Sequence, residues 1–94
     1  MEKGGYVYIL TTRKNTALYI GVTSNLQKRI WEHKNGLITG HSKKYSINKL
    51  IYTEEFATIE EAIHREKCLK RWKRAWKTEL IEKVNPAWEE MSIV

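Results

Sequence analysis

The sequence predicts one domain of the α+β class, and three observations lead to that prediction. Ninety-four residues are enough for a single modest core. Apolar side chains follow a strand period in some segments and a helical period in others, in the order strand, strand, helix, strand, helix, helix. No linker, internal repeat or low-complexity stretch divides residues 1–94, so we expect one unit.

The first two elements predict a β-hairpin. Residues 6–12 (YVYILTT) alternate and are rich in Tyr, Val and Ile, residues 13–16 are polar, and residues 17–22 (ALYIGV) form the second strand. If the turn sets even positions opposite odd ones, the face of Tyr8 coincides with that of Gly21. A glycine there would let a bulky group approach the backbone.

A short helix and a third strand follow. Ser24 and Gln27 have the spacing of a capping box at the start of the helix, and Gly36 can end it. Residues 36–46 are predicted as a loop, and residues 48–56 (NKLIYTEEF) as a strand.

The C-terminal part predicts two helices. Thr58 and Glu61 repeat the capping-box spacing before a helix over about 59–73. We predict a bend or break within residues 74–78 (RAWKT) and a last helix at residues 79–84, which the proline of an Asn-Pro pair then stops.

An acidic residue lies on the apolar stripe of the long helix. With Ile59 at the origin of a helical wheel, the stripe consists of Ala62, Ile63 and Leu69. Glu66 falls at about −20°, in its middle. A carboxylate in such a place is costly unless something pairs with it. Lys70, one turn on, is the structural partner, and a metal ion or a catalytic group is the functional alternative.

The first helix also carries polar residues beside its apolar face. With Leu26 at the origin, Ile30 lies at about +40°, Arg29 at about −60° and His33 at about −20°. A lone histidine there is more often a core residue than a catalyst. Arg29 and His33 one turn apart, beside a strand that carries Tyr19, indicate a polar pocket instead.

The charge balance favours a polyanionic partner. Seventeen Lys and Arg residues face eleven acids, which gives a net charge of +6. Such a small basic domain often binds nucleic acid. All eleven acids are Glu, and the absence of Asp favours a site with one metal and one carboxylate over a two-metal site.

A basic run with interleaved tryptophans covers residues 67–77 (KCLKRWKRAWK). The candidate nucleic-acid-binding side chains of this run are Lys67, Lys70, Arg71 and Arg74. On the wheel, most of them form one exposed row, whereas Trp72 and Trp76 fall on the opposite flank and are predicted to be core or semi-core. The row would track phosphates.

The remaining composition restricts the compartment. Cys68 is the single cysteine, so no disulfide can form within the chain. No window approaches the roughly 20 apolar residues of a membrane span, and the N-terminus shows no cleavage signal. A cytoplasmic protein without a membrane partner is the expectation.

Taken together, these residues resemble the GIY-YIG nuclease superfamily over roughly residues 5–90. The two halves of its signature correspond to Tyr6-Val7-Tyr8 and Tyr19-Ile20-Gly21. The helices that carry Arg29 with His33, and Glu66, resemble its next elements. Residues 85–88 (NPAW) resemble the ending of its small stand-alone bacterial members.

The resemblance implies a three-stranded antiparallel sheet flanked by helices, and hydrolysis of phosphodiester bonds in DNA or RNA, with DNA favoured. It also implies one divalent metal ion, Mg²⁺ or Mn²⁺, held by Glu66. By the same resemblance, Tyr8 acts as general base or orients the water, and Tyr19 hydrogen-bonds near the attacking group. Arg29 stabilises charge on the phosphate and His33 assists proton transfer. The supporting residues are Tyr6, Gly21 and Asn85.

Two alternatives stay open. Val22 stands where the repair-nuclease branch commonly has a lysine, which favours a nucleic-acid-binding module with a weak or silent site. The Trp-rich residues 72–91 suggest an adaptor that binds a protein partner. Larger members of the superfamily take specificity from added domains, so a protein partner could also supply specificity to a nuclease of this size.

Overall fold

The computed structural model describes residues 4–38, 40 and 45–92, and part of the predicted loop 36–46 lies outside these residues. The predicted order of elements is confirmed. The elements are β1 (Gly5–Thr11), β2 (Leu18–Thr23), α1 (Leu26–Lys34), β3 (Lys49–Phe56), α2 (Ile59–Arg71) and α3 (Arg74–Val84). None of the helices in the described part of the chain has the length and apolar character to cross a bilayer.

The three strands form an antiparallel sheet in the order β2-β1-β3, as the family resemblance implied. β1 occupies the centre because its apolar run is covered on both faces, and Val7 to Leu10 are all fully buried. The hairpin register sets Tyr8 opposite Gly21, so the even-to-odd pairing that the sequence left open is the one that the hairpin adopts. A β-bulge between Ile9 and Leu10 shifts the pairing with β3.

Helices cover the two faces of the sheet unequally. One face packs against α2 and α3 and forms the larger apolar cluster, whose fully buried members are Val7, Ile9, Ile51, Ala62, Leu69 and Ile81. The other face packs against α1 and the segment before β3, and its cluster contains Tyr8, Leu10, Ile30, Ile47 and Leu50. We call these the α2/α3 face and the α1 face.

The predicted helix starts are confirmed at one helix and wrong at the other. Thr58 and Glu61 form the reciprocal capping box at α2. At α1 the cap is Asn25, whose side chain accepts from the backbone of Lys28 at 3.1 Å, and not Ser24. The backbone N–H of Asn25 donates to the hydroxyl of Thr23, which places the start of the helix one residue later.

The predicted break in the C-terminal helices is also misplaced. The chain leaves α2 at Trp72, which has an extended backbone, and α3 already begins at Arg74. Trp72 packs against the α2/α3 core, so tertiary contact ends the helix early. The helical phase restarts there, and Trp76 is consequently 51 % exposed and not core. Ile63 also lies at the surface, contrary to the wheel.

Candidate active site

Tyr8 lies at the centre of the α1 face and is completely buried. Its cross-strand neighbour is Gly21. A Cβ atom at Gly21 would lie 2.3 Å from both Cζ and Oη of Tyr8, a separation that no side chain tolerates. The glycine therefore makes room for the phenol to lie across β2, which is the local reason why this strand carries Gly at that position.

The phenol of Tyr8 points at an imidazole from α1. Its Oη lies 3.1 Å from Nε2 of His33, and His33 is itself buried. Tyr19 completes the group, with ring centroids 6.3 Å from Tyr8 and 5.3 Å from His33. We call Tyr8, Tyr19 and His33 the tyrosine–histidine cluster.

Arg29 lies one helical turn before His33 and borders the cluster. Its Nε forms an ion pair with Oε1 of Glu32 at 3.2 Å, and its side chain remains 36 % exposed. Its guanidinium also interacts with the phenol of Tyr8. Arg29 thus influences the buried phenol while part of its side chain stays accessible to solvent.

The environment fixes the protonation states of the cluster. Burial, helped by the neighbouring Tyr19, raises the pKa of Tyr8 to about 12, although Arg29 acts in the opposite direction. Burial and the charge of Arg29 lower the pKa of His33, against a smaller effect of Glu32. At neutral pH, Tyr8 is therefore a protonated phenol beside a neutral imidazole, which has one accepting nitrogen.

Glu66 is largely buried, as its place on the apolar stripe predicted, with 13 % of its side chain exposed. It lies on α2, which packs on the face of the sheet opposite Tyr8. Its Oε2 pairs with Nζ of Lys70 at 2.8 Å, so the structural alternative raised by the sequence is present. The contacts of Glu66 and those of the tyrosine–histidine cluster thus belong to different layers.

Glu66 offers a metal ion a single carboxylate ligand and not a complete set of ligands from the described residues. Within residues 4–38, 40 and 45–92, no three His, Cys or Glu side chains converge closely enough to hold an ion. Magnesium, however, is commonly bound through one or two carboxylates, with waters and substrate phosphates in its other positions. The donor set at Glu66 fits an ion that binds together with substrate.

The residues predicted to support the site have local roles. Tyr6 donates to Glu55 across the strands at 3.4 Å. Asn85 caps α3, and its amide donates to the carbonyl oxygens of Ile51 and Glu89 at 2.9 Å. Asn85 therefore ties the C-terminal segment to β3.

Among the candidate nucleic-acid-binding residues, Lys67 and Arg71 are exposed on α2, and Arg74 is exposed at the start of α3. Lys70 is exposed as well, but it carries the ion pair with Glu66. The helical wheel predicted that Arg74 continues the exposed basic row of α2, but Arg74 belongs to α3, beyond the end of α2.

Sequence reasoning missed two acidic residues. Glu32 holds Arg29, and the i, i+3 spacing on a helix could have indicated that pair. Glu54 on β3 binds Arg65 of α2 through two hydrogen bonds, at 2.9 and 3.0 Å, and accepts a third from Tyr52. That contact joins a strand to a helix, so no spacing of residues within one element predicts it.

Comparison with known proteins gives a consistent result. The family model of the GIY-YIG catalytic domain matches residues 4–79. The UPF0213 protein CPE1444 of Clostridium perfringens is 42 % identical over 76 residues, which are 81 % of each chain. A UPF0213 protein of Streptococcus pneumoniae is 36 % identical over 81 residues, 86 % of this chain and 81 % of the relative.

A solved structure resembles the fold as a whole. The solution NMR structure of the UPF0213 protein BH0048 from Bacillus halodurans superimposes with a TM-score of 0.59 and 28 % sequence identity. The match covers 93 % of this chain and 92 % of that one.

Proposed function

Because the chain belongs to the GIY-YIG family, we propose that it is a metal-dependent endonuclease that hydrolyses phosphodiester bonds of DNA or RNA, with DNA favoured. The observation that carries the proposal is the 3.1 Å contact between the Tyr8 phenol and the His33 imidazole, with Arg29 beside them. A nuclease needs a group that takes a proton from water and a cation for the phosphate, and these residues supply both.

The proton path follows from the protonation states. A phenol whose pKa is near 12 is a poor standing base at neutral pH. It can serve as a relay once substrate binding opens its buried hydroxyl to water: Tyr8 then accepts a proton from the attacking water while its own proton passes to Nε2 of His33. His33 ends as an imidazolium and returns the proton to solvent after turnover. Tyr19 orients the attacking group through its hydroxyl.

The charge that develops on the phosphate calls for cations. Arg29 is the residue we assign to this role, since it reaches solvent and its guanidinium can bind two phosphate oxygens. Glu66 is the residue we assign to the metal. Because Glu66 lies on the layer opposite the tyrosine–histidine cluster, a Mg²⁺ or Mn²⁺ ion held there would polarise the phosphate that Arg29 contacts only if the substrate extends across the edge of the sheet. Lys70 competes with the ion for the same carboxylate.

The test compares cleavage of plasmid and branched DNA, and of structured RNA, with Mg²⁺ or Mn²⁺ and then with EDTA. Arg29→Ala should lower the rate by about 10²–10³-fold, as expected for a cation at the reacting phosphate. Glu66→Ala should abolish the cleavage that Mg²⁺ or Mn²⁺ supports. Lys70→Ala should keep this cleavage and lower the metal concentration at which the rate is half-maximal.

Two results would reject these roles. Cleavage that EDTA does not affect and Arg29→Ala leaves unchanged would indicate a contaminating nuclease. Equal behaviour of Glu66→Ala and Lys70→Ala would make the pair a structural ion pair and would remove Glu66 from the metal site.

The second candidate function is a nucleic-acid-binding module with a silent site. It is favoured by Val22, which packs against the apolar core where a repair nuclease commonly has a lysine, and by the high pKa of Tyr8. Such a protein would bind nucleic acid with a strong salt dependence and no turnover. Metal-dependent turnover that requires Arg29 would reject it.

A further inference from the structure

Two tryptophans form a groove on the helical layer opposite the tyrosine–histidine cluster. Trp72 and Trp76 meet edge to face, with ring centroids 6.1 Å apart and planes at 83°. The groove has a volume of about 250 Å³ and is lined by Trp72, Trp76, Glu79, Leu80 and Lys83. We call it the indole groove. Neither the family resemblance nor the proposed reaction assigns a role to it.

The floor of the groove is held rigidly. Trp72 packs against the α2/α3 core, and the guanidinium of Arg65 lies over its ring at 5.2 Å. Arg65 is in turn fixed by two hydrogen bonds to Glu54. Trp72 is thus packed against the core and against Arg65, and its edge contact supports the ring of Trp76. The exposed ring of Trp76 therefore lies on a packed aromatic neighbour.

The surroundings of Trp76 are strongly cationic. Residues 70–84 contain six Lys or Arg and two Glu, so this segment carries most of the net charge of +6. Nζ of Lys73 lies 5.5 Å from the ring centroid of Trp76, and Lys83 lines the groove. Of the two acids, Glu79 lines the groove, whereas Glu82 accepts the indole N–H of Trp88.

We infer that the indole groove binds an unpaired base of a single-stranded nucleic acid segment, with the base stacked on Trp76 and its flanking phosphates contacted by Lys73 and Lys83. Exposed aromatic rings beside cations are the arrangement that proteins use to bind single strands without sequence preference. Lys73 covers the ring in the free protein and turns toward a phosphate when the base takes its place. An apolar peptide is the less suitable occupant, since two lysines, Lys73 and Lys83, and one acid, Glu79, lie at the groove.

The inference rests on the proposed function in one respect, because it names the kind of substrate that the nuclease would hold: nucleic acid with an unpaired stretch, such as an overhang or a flap. The binding itself requires neither the metal nor the tyrosine–histidine cluster. It can therefore be tested without any cleavage.

The experiment measures binding of a fluorescein-labelled oligothymidine of about ten nucleotides, and of a duplex of the same length, by anisotropy in EDTA. Trp76→Ala is compared with Trp31→Ala, which removes an equally large tryptophan that is 58 % exposed on α1. Trp76→Phe keeps a ring for stacking. Thermal unfolding of each variant verifies that it is folded.

Loss of one stacked base should weaken binding of the single strand by tenfold or more in Trp76→Ala. Trp31→Ala and the duplex affinity should change less than twofold, and Trp76→Phe should recover most of the affinity. The inference is overturned if Trp76→Ala binds the single strand as the wild type does, or if Trp31→Ala loses as much. It is also overturned if oligothymidine does not bind, in which case a protein partner is the better occupant.

These outcomes are separable from those of the cleavage assays. Cleavage that needs Arg29, combined with unchanged single-strand binding by Trp76→Ala, would reject base binding in the indole groove and retain the proposed nuclease function. Single-strand binding that needs Trp76, without metal-dependent cleavage, would retain base binding in the indole groove and reject the proposed nuclease function.

Discussion

The α2/α3 face buries more apolar side chains than the α1 face, and the two faces also differ in how their polar groups are paired. On the α2/α3 face, Tyr52 donates to Glu54, and Arg65 binds the same carboxylate through two hydrogen bonds. On the α1 face, the Tyr8 phenol meets the His33 imidazole and Arg29, which reaches solvent. In the first network the carboxylate binds the tyrosine hydroxyl directly, whereas in the second the carboxylate of Glu32 pairs with Arg29 and the phenol meets an imidazole.

The comparison shows that a perturbed pKa alone does not identify the reactive tyrosine. Burial is the largest cause of a raised pKa for both Tyr8 and Tyr52. What differs is the partner. Arg65 and Tyr52 already occupy Glu54 and keep its pKa low despite burial, so Glu54 is a poor proton acceptor. The neutral His33 can accept a proton. We therefore propose that the proton transfer takes place on the α1 face, whereas the closed network around Glu54 on the α2/α3 face contributes to stability.

The largest effect on stability should come from the α2/α3 face. Leu69→Ala removes a completely buried side chain from the larger cluster and should lower the free energy of unfolding by about 2–5 kcal/mol. The folded fraction should cleave at close to the normal rate, because Leu69 lies on the α2/α3 face and the tyrosine–histidine cluster on the other. Urea unfolding and cleavage per folded molecule measure the two quantities. A loss of rate in the folded fraction would mean that the faces are coupled.

On the α1 face, Gly21→Ala should have a smaller effect on the free energy of unfolding, and it should lower the cleavage rate as well. The new Cβ of Gly21→Ala must displace the Tyr8 ring, and such overpacking costs about 1–3 kcal/mol. Cleavage should fall as well, because the contact between Tyr8 and His33 is lost. Val22→Ala, at the next position but against the other face, should alter stability and not cleavage. Full cleavage activity of Gly21→Ala would show that the reaction does not depend on the position of the Tyr8 ring.

The smallest effect is a pH dependence of stability. His33 has a lowered pKa when folded, so the unfolded chain binds more protons between about pH 6.5 and the folded value. The stability that His33 contributes is complete above that window and is lost as the pH falls through it, with a slope of at most about 1.4 kcal/mol per pH unit. His33→Gln should flatten the profile over this range. An unchanged slope in the variant would assign the dependence to other groups.

Local patterns in the sequence were sufficient for much of the fold. Alternation of β-branched and aromatic residues predicted the hairpin, and Thr58 with Glu61 predicted the start of α2, whereas the hairpin register was left open and only the structure supplies it. The end of α2 was missed because the packing of Trp72 on the core terminates it, and a wheel contains no tertiary contact. The cap of α1 was missed by one residue because Thr23 competes for the turn.

The site was predictable in part for the same reason. Helical spacing placed Arg29 and His33 near a tyrosine-bearing strand, and they do meet Tyr8. The burial of Glu66 also followed from the wheel. Whether Glu66 serves Lys70 or a metal depends on which face of the sheet its helix covers, and periodicity does not contain that information.

The most direct test of the central claim compares two conservative substitutions, Tyr8→Phe and Tyr52→Phe. Each removes one hydroxyl from a buried ring, and the two rings lie on opposite faces of the same sheet. The measurement is the single-turnover rate of DNA cleavage with Mg²⁺ and folded protein in excess. We expect Tyr8→Phe to lose about 10²–10⁴-fold in rate and Tyr52→Phe to cleave as the wild type does. Equal rates in the two variants would contradict the assignment of chemistry to the α1 face.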